Sequence, residues 1–127
     1  MKAILDTHAF LWAISGDNRL SRTGREIFVG PSDLWFSIAS LWEIVIKTQV
    51  GKLPLPAPAG RYISRKLVEN RIELLPLSVD HLIKLESLPM HHRDPFDRVL
   101  IAQSIEEGWP IITGDREFKK YPIQVIW

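Results

Sequence analysis

Four acidic residues of this 127-residue chain stand where their carboxylates could act together. Asp6 directly follows the apolar run 3–5, and Asp115 follows the apolar run 110–113 after a single glycine. Both runs are typical of buried strands, and in open α/β sheets ligands bind beyond the carboxyl ends of the strands. We therefore expect Asp6 and Asp115 to meet at one edge of a sheet, although they are far apart in sequence.

Two further acids lie in helical patterns that turn them toward apolar neighbours. Asp97 has Leu100 and Ile101 three and four residues later. Glu43 has Ile46 three residues later, within the apolar run that follows it. Residues at these spacings share one face of a helix, and a half-buried carboxylate usually has a partner. The spacing thus adds Asp97 and Glu43 to the set of acids that could form a site.

The chemistry that suits such a set is the binding of a hard cation. Two carboxylates about 5 Å apart repel each other by roughly 3 kcal/mol at an effective dielectric constant of 20. Several such groups must be protonated or must hold a positive ion. The chain has no cysteine, and carboxylate oxygens favour Mg²⁺ or Mn²⁺. Such an ion can activate water and stabilise the charge of a phosphodiester under attack.

Each acid also has a purely structural interpretation. Asp6 and Asp115 could cap the helical turns that follow them, and Asp94 could cap the helix that begins at the next residue. Glu43 could pair with Lys47, four residues later on the same helix. The expected convergence of several acids on one sheet edge favours a shared site over separate caps.

Alternating strands and helices must position these residues. Short apolar runs predict five strands, and periodic segments bounded by Ser, Asp, Gly and Pro predict helices between them. The pattern predicts an α/β fold, a three-layer sandwich in which helices flank a central, mostly parallel five-stranded sheet. The predicted strands are 3–5, 34–36, 72–75, 110–113 and 123–126. The predicted helices are 7–14, 21–29, 61–70, 78–88, 94–108, a turn at 116–120, and one that opens at Ser37 or Ser40 and runs to Val50.

Composition excludes several classes of protein. The length suits a single domain over residues 1–127, and the 46% hydrophobic content excludes intrinsic disorder. A net charge of +1 excludes a strongly basic coat for nucleic acid. Without cysteine there is no disulfide scaffold, zinc ribbon or thiol nucleophile. Apolar runs fall well short of the ~20 residues that span a bilayer, so a cytoplasmic protein without membrane contact is expected.

Four segments resemble one family, the PIN-domain ribonucleases, and in particular the VapC-like toxins of type II toxin–antitoxin modules. The most specific segment is 94–103, which reads Asp-Pro-Phe-Asp-Arg-Val-Leu-Ile-Ala-Gln. The others are Ile-Leu-Asp-Thr at 4–7, Ser-Leu-Trp-Glu-Ile at 40–44, and Ile-Thr-Gly-Asp-Arg-Glu-Phe at 112–118. Together they extend over nearly the whole chain.

The resemblance implies a PIN-like fold and a Mg²⁺-dependent endoribonuclease, with Mn²⁺ as a possible substitute. It implies catalytic, metal-binding acids at four positions and helpers at three more. The four are Asp6, Glu43, Asp97 and Asp115, and the helpers are Thr7, Thr113 and the extra acid Asp94. It also implies an RNA substrate, a cognate antitoxin protein and a homodimer.

Basic residues beside these acids could contact RNA phosphates, since cations must offset an acidic pocket. The candidates are Arg98, Arg116 and Lys47, whereas Arg93 is expected to be a solvated surface charge.

A different class of function remains open, a non-catalytic α/β binding or scaffold domain derived from a nuclease fold. In that case the acids would only cap helices. A haloacid-dehalogenase-type phosphatase is disfavoured because its second aspartate would stand at His8. A phosphoacceptor receiver domain is disfavoured because no acid follows the third strand at Leu75.

The remaining polar and aromatic features are expected to be structural or to form interfaces. His8 can line the rim of the acidic site, but it is expected, like the other histidines, to be a surface or packing residue; the others are His81, His91 and His92. Core packing is expected for Trp35, Trp42 and Trp109, and an interface for Trp12 and Trp127. The proline-rich segment 54–58 is expected to be a surface connection.

Overall fold

A computed structural model of the chain describes residues 1–91 and 93–127, so the expectation for His92 lies outside the described residues. In these residues, five strands form one sheet in the order β3-β2-β1-β4-β5, and every neighbouring pair is parallel. The strands are β1 (Lys2–Leu5), β2 (Asp33–Ser37), β3 (Glu73–Leu75), β4 (Ile111–Ile112) and β5 (Val125–Ile126). The predicted five-stranded sheet is confirmed: β3, β4 and β5 lie within their expected segments, β1 begins one residue earlier, and β2 is one residue longer at each end.

Within the described part of the chain, six α-helices and one 3₁₀ turn connect the strands. They are α1 (Thr7–Ser15), α2 (Arg22–Val29), α3 (Ile38–Gln49), α4 (Ala59–Glu69), α5 (Val79–Glu86), α6 (Pro95–Glu107) and the 3₁₀ turn Arg116–Lys120. Ser37, rather than Ser40, caps α3, because its hydroxyl accepts a hydrogen bond from the amide of Ala39. No helix of the described residues is long and apolar enough to cross a bilayer.

The sheet has a hydrophobic core on each face, and consecutive residues of a strand pack into opposite cores. Leu5 and Ile112 lie in the core that also contains Phe10. Ile4 and Ile111 lie in the other core, together with residues of α6 such as Leu100 and Ile101. Successive side chains of a strand point to opposite faces, so buried parallel strands need an apolar residue at nearly every position. The two cores confirm the three-layer α/β sandwich.

The order of the strands places a topological switch point at β1. After β1 the chain builds β2 and β3 on one side, and it later returns to build β4 and β5 on the other. The amide of Asp6 donates to the carbonyl oxygen of Ile112 (3.1 Å), which ties the ends of β1 and β4 together. The ends of these two strands therefore form a crevice of the kind that holds ligands in α/β folds.

The segment between α3 and α4 is a surface connection, as expected, but it is anchored. Pro54 and Pro56 are exposed, whereas Leu53 and Leu55 pack against the core around Phe10. A cavity of about 710 Å³ opens beside this segment. Among the described residues, no carboxylate lines this cavity, so it differs chemically from the predicted acidic site.

The expectation that Trp42 lies in the core is wrong. Its side chain is 61% exposed and meets Phe96 edge-on, with the ring centroids 5.4 Å apart. The buried face of α3 carries Ser40, Glu43 and Ile44, and the 100° step of the helix turns residue 42 away from that face. The prediction for Trp42 depends on residue type alone, whereas its position around the helix decides that the side chain is exposed.

The other core tryptophans pack as expected. Trp35 and Trp109 are partly buried against the core of α6, with their rings 5.1 Å apart.

Candidate active site

Asp6 joins the first strand to the site. The residue is buried and caps α1, with Oδ1 accepting a hydrogen bond from the amide of His8 (3.1 Å). Its Oδ2 accepts a hydrogen bond from the Thr113 hydroxyl (2.6 Å), across 107 positions of sequence. Burial raises the pKa of Asp6 above its usual range, and the hydrogen bond from Thr113 opposes that rise. Thr113 thus orients the Asp6 carboxylate.

Glu43 is held from both sides. It is buried on α3, and Oε1 accepts a hydrogen bond from the Thr7 hydroxyl (2.9 Å). Oε2 accepts a hydrogen bond from the Lys47 ammonium (2.7 Å), which forms the i,i+4 ion pair that the sequence predicts. Burial lowers the pKa of Lys47, but the hydrogen bond to Glu43 and the charges of Glu43, Asp94 and Asp97 together outweigh that effect, and the pKa of Lys47 is raised. Lys47 is therefore committed to Glu43 in this structure.

Asp94 and Asp97 lie at the start of α6. The Asp94 carboxylate caps the helix through the amides of Phe96 (2.9 Å) and Asp97 (3.2 Å). Desolvation, and after it the negative charges of Asp94, Asp6, Glu43 and Asp115, together raise the pKa of Asp97 to about 8. The contribution of these four charges is what converging carboxylates produce.

Asp115 reaches the same place from the end of β4. It is exposed and caps the 3₁₀ turn, with Oδ1 accepting from the amide of Glu117 (2.9 Å). Its own amide donates to the Thr113 hydroxyl (3.1 Å). Thr113 therefore touches both Asp6 and Asp115 and fixes their separation.

One open pocket of about 450 Å³ contains all these acids. Its lining includes the four predicted acids Asp6, Glu43, Asp97 and Asp115, and also Asp94. Carboxylate oxygens without cysteine suit a hard divalent cation, and their mutual repulsion gives the protein a reason to bind one. Within residues 1–91 and 93–127, no three acidic or histidine side chains are already close enough to share one ion. The donor chemistry fits Mg²⁺ or Mn²⁺.

The expectation that Arg98 contacts RNA is contradicted by its position. Its side chain is buried, and the guanidinium donates to the carbonyl oxygens of Pro89 (2.8 Å), Leu85 (3.4 Å) and Leu88 (3.4 Å). The helical step turns Arg98, which follows Asp97 directly, toward α5 instead of the pocket. Arg98 is a structural tie between α5 and α6.

The other predicted cations are placed differently. Arg116 is exposed on the 3₁₀ turn next to Asp115, and its role stays a prediction. Arg93 is exposed, as expected. Lys47 is bonded to Glu43, as described above.

The histidines divide between rim, core and surface. His8 is exposed and lines the pocket. His81 is buried and closes a capping box with Ser78 at the start of α5. His91 is exposed and packs edge-on against Tyr121. The expectation of surface or packing roles agrees with His81 and His91.

Three lining residues are not among the predicted site residues: Gly114, which precedes Asp115, and the side chains of Trp12 and Arg19. Trp12 was assigned only to an interface, and Arg19 was not singled out. Arg19 reaches the pocket because Gly16, in a left-handed conformation at the end of α1, turns the chain back across the helix. The position of a residue after such a turn cannot be predicted from the helical periodicity of the sequence.

Comparisons with known proteins agree with this architecture. The model of the PIN domain family matches residues 3–124. The ribonuclease VapC22 of Mycobacterium tuberculosis is 24% identical over 119 residues, which is 93% of this chain and 90% of that protein.

Solved structures share the fold. A DNA-bound VapBC from Salmonella typhimurium superposes with a TM-score of 0.74 at 18% identity, covering 99% of this chain and 97% of that one. The sarcin–ricin loop cleaving toxin VapC20 of Mycobacterium tuberculosis gives a TM-score of 0.66 at 15% identity, covering 95% of each chain. The family match, together with the acidic crevice at the switch point, leads to one conclusion: the chain belongs to the PIN domain family, and it is similar to VapC ribonucleases within that family.

Proposed function

We propose that this chain is a Mg²⁺-dependent endoribonuclease, the toxin of a toxin–antitoxin module, which hydrolyses RNA phosphodiester bonds at the acidic pocket. The convergence of Asp6, Glu43, Asp97 and Asp115 on one pocket is the observation that carries the proposal. The likeness to VapC22, a protein named as a ribonuclease, supports RNA as the substrate. The structural likeness to VapC20, described as cleaving the sarcin–ricin loop, supports the same class of substrate.

The residues of the pocket divide the work. Asp6, Asp97 and Asp115 would hold Mg²⁺, or Mn²⁺ in its place, and Glu43 would add a ligand or orient a bound water. The ion supplies activation of water and stabilisation of the charge that develops on the phosphate. Thr113 and Thr7 hold the carboxylates of Asp6 and Glu43 in fixed orientations. Asp94 fixes the first turn of α6 and thereby the position of Asp97.

A protein partner belongs to the same proposal. The structural neighbours include a toxin–antitoxin complex from Klebsiella pneumoniae and a member of the VapBC family of toxin–antitoxin systems from Mycobacterium tuberculosis. We propose a cognate antitoxin for this chain, a homodimer in solution, and a cytoplasmic location. Co-expression with the neighbouring reading frame should suppress RNA cleavage, and light scattering of the purified chain should give twice its mass of 14.6 kDa. A monomeric mass would reject the homodimer without touching the nuclease assignment.

A scaffold without catalysis is the competing function, and one observation favours it. Asp6, Asp94 and Asp115 each accept a backbone hydrogen bond at the start of a helical segment, so all three have a structural role. A scaffold should bind no Mn²⁺, whereas the nuclease requires a saturable site.

Substitution of the acids tests the nuclease assignment. Asp6→Asn and Asp97→Asn should each lower cleavage of total cellular RNA in Mg²⁺ about a hundredfold or more, because each removes a charge that holds the ion. Asp33→Asn is the matched control, since Asp33 is exposed at the start of β2, on the opposite edge of the sheet. Sequencing of the RNA ends reports the cut sites. Wild-type cleavage by either pocket variant would reject the assignment.

A further inference from the structure

Arg19 stands at the rim of the acidic pocket with a permanent positive charge. The described residues that line this pocket include five carboxylates and one arginine, which is Arg19. Its side chain is 70% exposed, so the guanidinium is open to a ligand from solvent. It does not neutralise the acids of the metal site, because its carboxylate partner is Asp17, which lies outside the pocket lining.

Two contacts hold the guanidinium in place. Asp17 accepts hydrogen bonds from Nη2 (2.7 Å) and Nε (3.1 Å), a fork that matches the carboxylate. The guanidinium carbon lies 5.1 Å from the centroid of the Trp12 ring, within the range of a cation–π contact. The hydrogen bonds from Arg19 lower the pKa of Asp17 to about 2, so the pair stays ionised at neutral pH. An exposed arginine held from two sides is unusual, because exposed ion pairs normally gain little from being ordered.

The turn that carries this pair is itself fixed. The amide of Asp17 donates to the carbonyl oxygen of Trp12 (2.9 Å), and the Asp17 carbonyl accepts from the amide of Leu20 (3.2 Å). Nη2 of Arg25 on α2 donates to the same carbonyl (3.3 Å). The position of Arg19 relative to Asp6 is thus set by backbone bonds at the end of α1.

A positive charge at this position would reduce the electrostatic repulsion between the acidic pocket and RNA. RNA carries a negative charge on every nucleotide, and the pocket presents five carboxylates of the same sign. A bound ion offsets part of that repulsion at the cleaved bond, while the phosphates on either side still need a cation. Arg98 cannot supply one, because it is buried under the α5–α6 connection, and Lys47 is bonded to Glu43. Asp17 takes Nε and Nη2 of Arg19 but not Nη1, so the exposed Nη1 can still donate to a phosphate.

We propose that Arg19, held against Trp12 by Asp17, binds an RNA phosphate next to the bond that is cleaved. The contact is with the backbone and therefore independent of base sequence. This inference rests on the proposed ribonuclease function and adds to it the residue that holds the substrate strand at the rim.

Binding of a labelled, random-sequence single-stranded RNA tests the contact. Fluorescence anisotropy would give Kd over a series of KCl concentrations, with Ca²⁺ replacing Mg²⁺ and the RNA checked for integrity afterwards. Arg19→Gln should weaken binding about fivefold, the typical worth of one exposed charge pair. It should also reduce the slope of log Kd against log salt by about 0.7, the counterion contribution of one contact on a single strand. Arg19→Lys, which keeps the charge, should keep the slope.

Arg22→Gln is the matched control, because Arg22 is 93% exposed in a pair with Glu26 and is outside the pocket lining. It removes the same charge and should leave the salt slope unchanged. If wild type cleaves total RNA in Mg²⁺ but Arg19→Gln and Arg22→Gln bind alike, the Arg19 contact is rejected and the nuclease stands. A lower melting temperature for Arg19→Gln, with binding and slope unchanged, would show a purely structural pair. If wild type neither binds nor cleaves RNA, the proposed function and this inference fall together.

Discussion

Single carboxylates in this protein serve the backbone and the pocket at once. Asp6 caps α1 and Asp94 caps α6, yet both line the pocket with Asp97. The structural and the functional interpretations of these acids are therefore compatible, and the sequence could not choose between them because both need the same residue at the start of a helix. What separates them is the charge of the neighbouring carboxylates, which adds to the burial penalty on ionised Asp97 and which a set of isolated caps would not produce.

That penalty makes stability depend on pH. The folded protein raises the pKa of Asp97 from 3.8 to about 8, so the native state holds a proton that the unfolded chain releases. The stability associated with this proton is fully present below pH 4 and is lost as pH rises toward 8. Without divalent ions, the melting temperature of wild type should therefore fall relative to that of Asp97→Asn over this range, with the difference levelling off above pH 8.

Thermal denaturation of both proteins in a chelating buffer would measure this difference. Asp33→Asn again serves as the control, since its exposed carboxylate lies at the far edge of the sheet. A gap between wild type and Asp97→Asn that stays constant with pH would show that Asp97 titrates normally.

Elements, rather than single residues, explain which predictions failed. The caps at Ser21 and Ser37 and the stops at Gly16 and Gly108 are local signals, and they place helices to within a few residues. Side-chain direction around a helix is set by packing as well as by sequence. Residue type predicts a buried Trp42, and proximity to Asp97 predicts an exposed Arg98. The position of each residue around its helix instead makes Trp42 exposed and Arg98 buried.

The tie made by Arg98 gives a prediction for the α5–α6 pair. Arg98→Met should lower the free energy of unfolding by about 2 kcal/mol, because it removes the donor to three carbonyl oxygens and leaves the buried one, that of Leu88, without this partner. Arg116→Met should change stability by less than about 0.5 kcal/mol, since Arg116 is exposed. Urea denaturation measures both. Equal effects would mean that the bonds of Arg98 contribute nothing beyond those of a surface charge.

For the molecule as a whole, the sheet converts distant sequence into one site. Asp6 and Asp115 meet because β1 and β4 are neighbours, and Thr113 bonds to both. The apolar runs and the acids at their ends were enough to predict this meeting. The position of Arg19 was not predictable in the same way, since it depends on a turn and on a stacking partner rather than on a strand end. The net charge of +1 is thus a sum over an acidic pocket and cations placed around it.

The proposed function depends on one property of the protein, that the acidic pocket binds a divalent ion. Calorimetric titration of metal-free protein with Mn²⁺ tests it most directly. We predict saturable binding to wild type that weakens by at least about tenfold in Asp97→Asn and is unchanged in Asp33→Asn. No saturable binding to wild type, or equal affinity in wild type and Asp97→Asn, would contradict the claim.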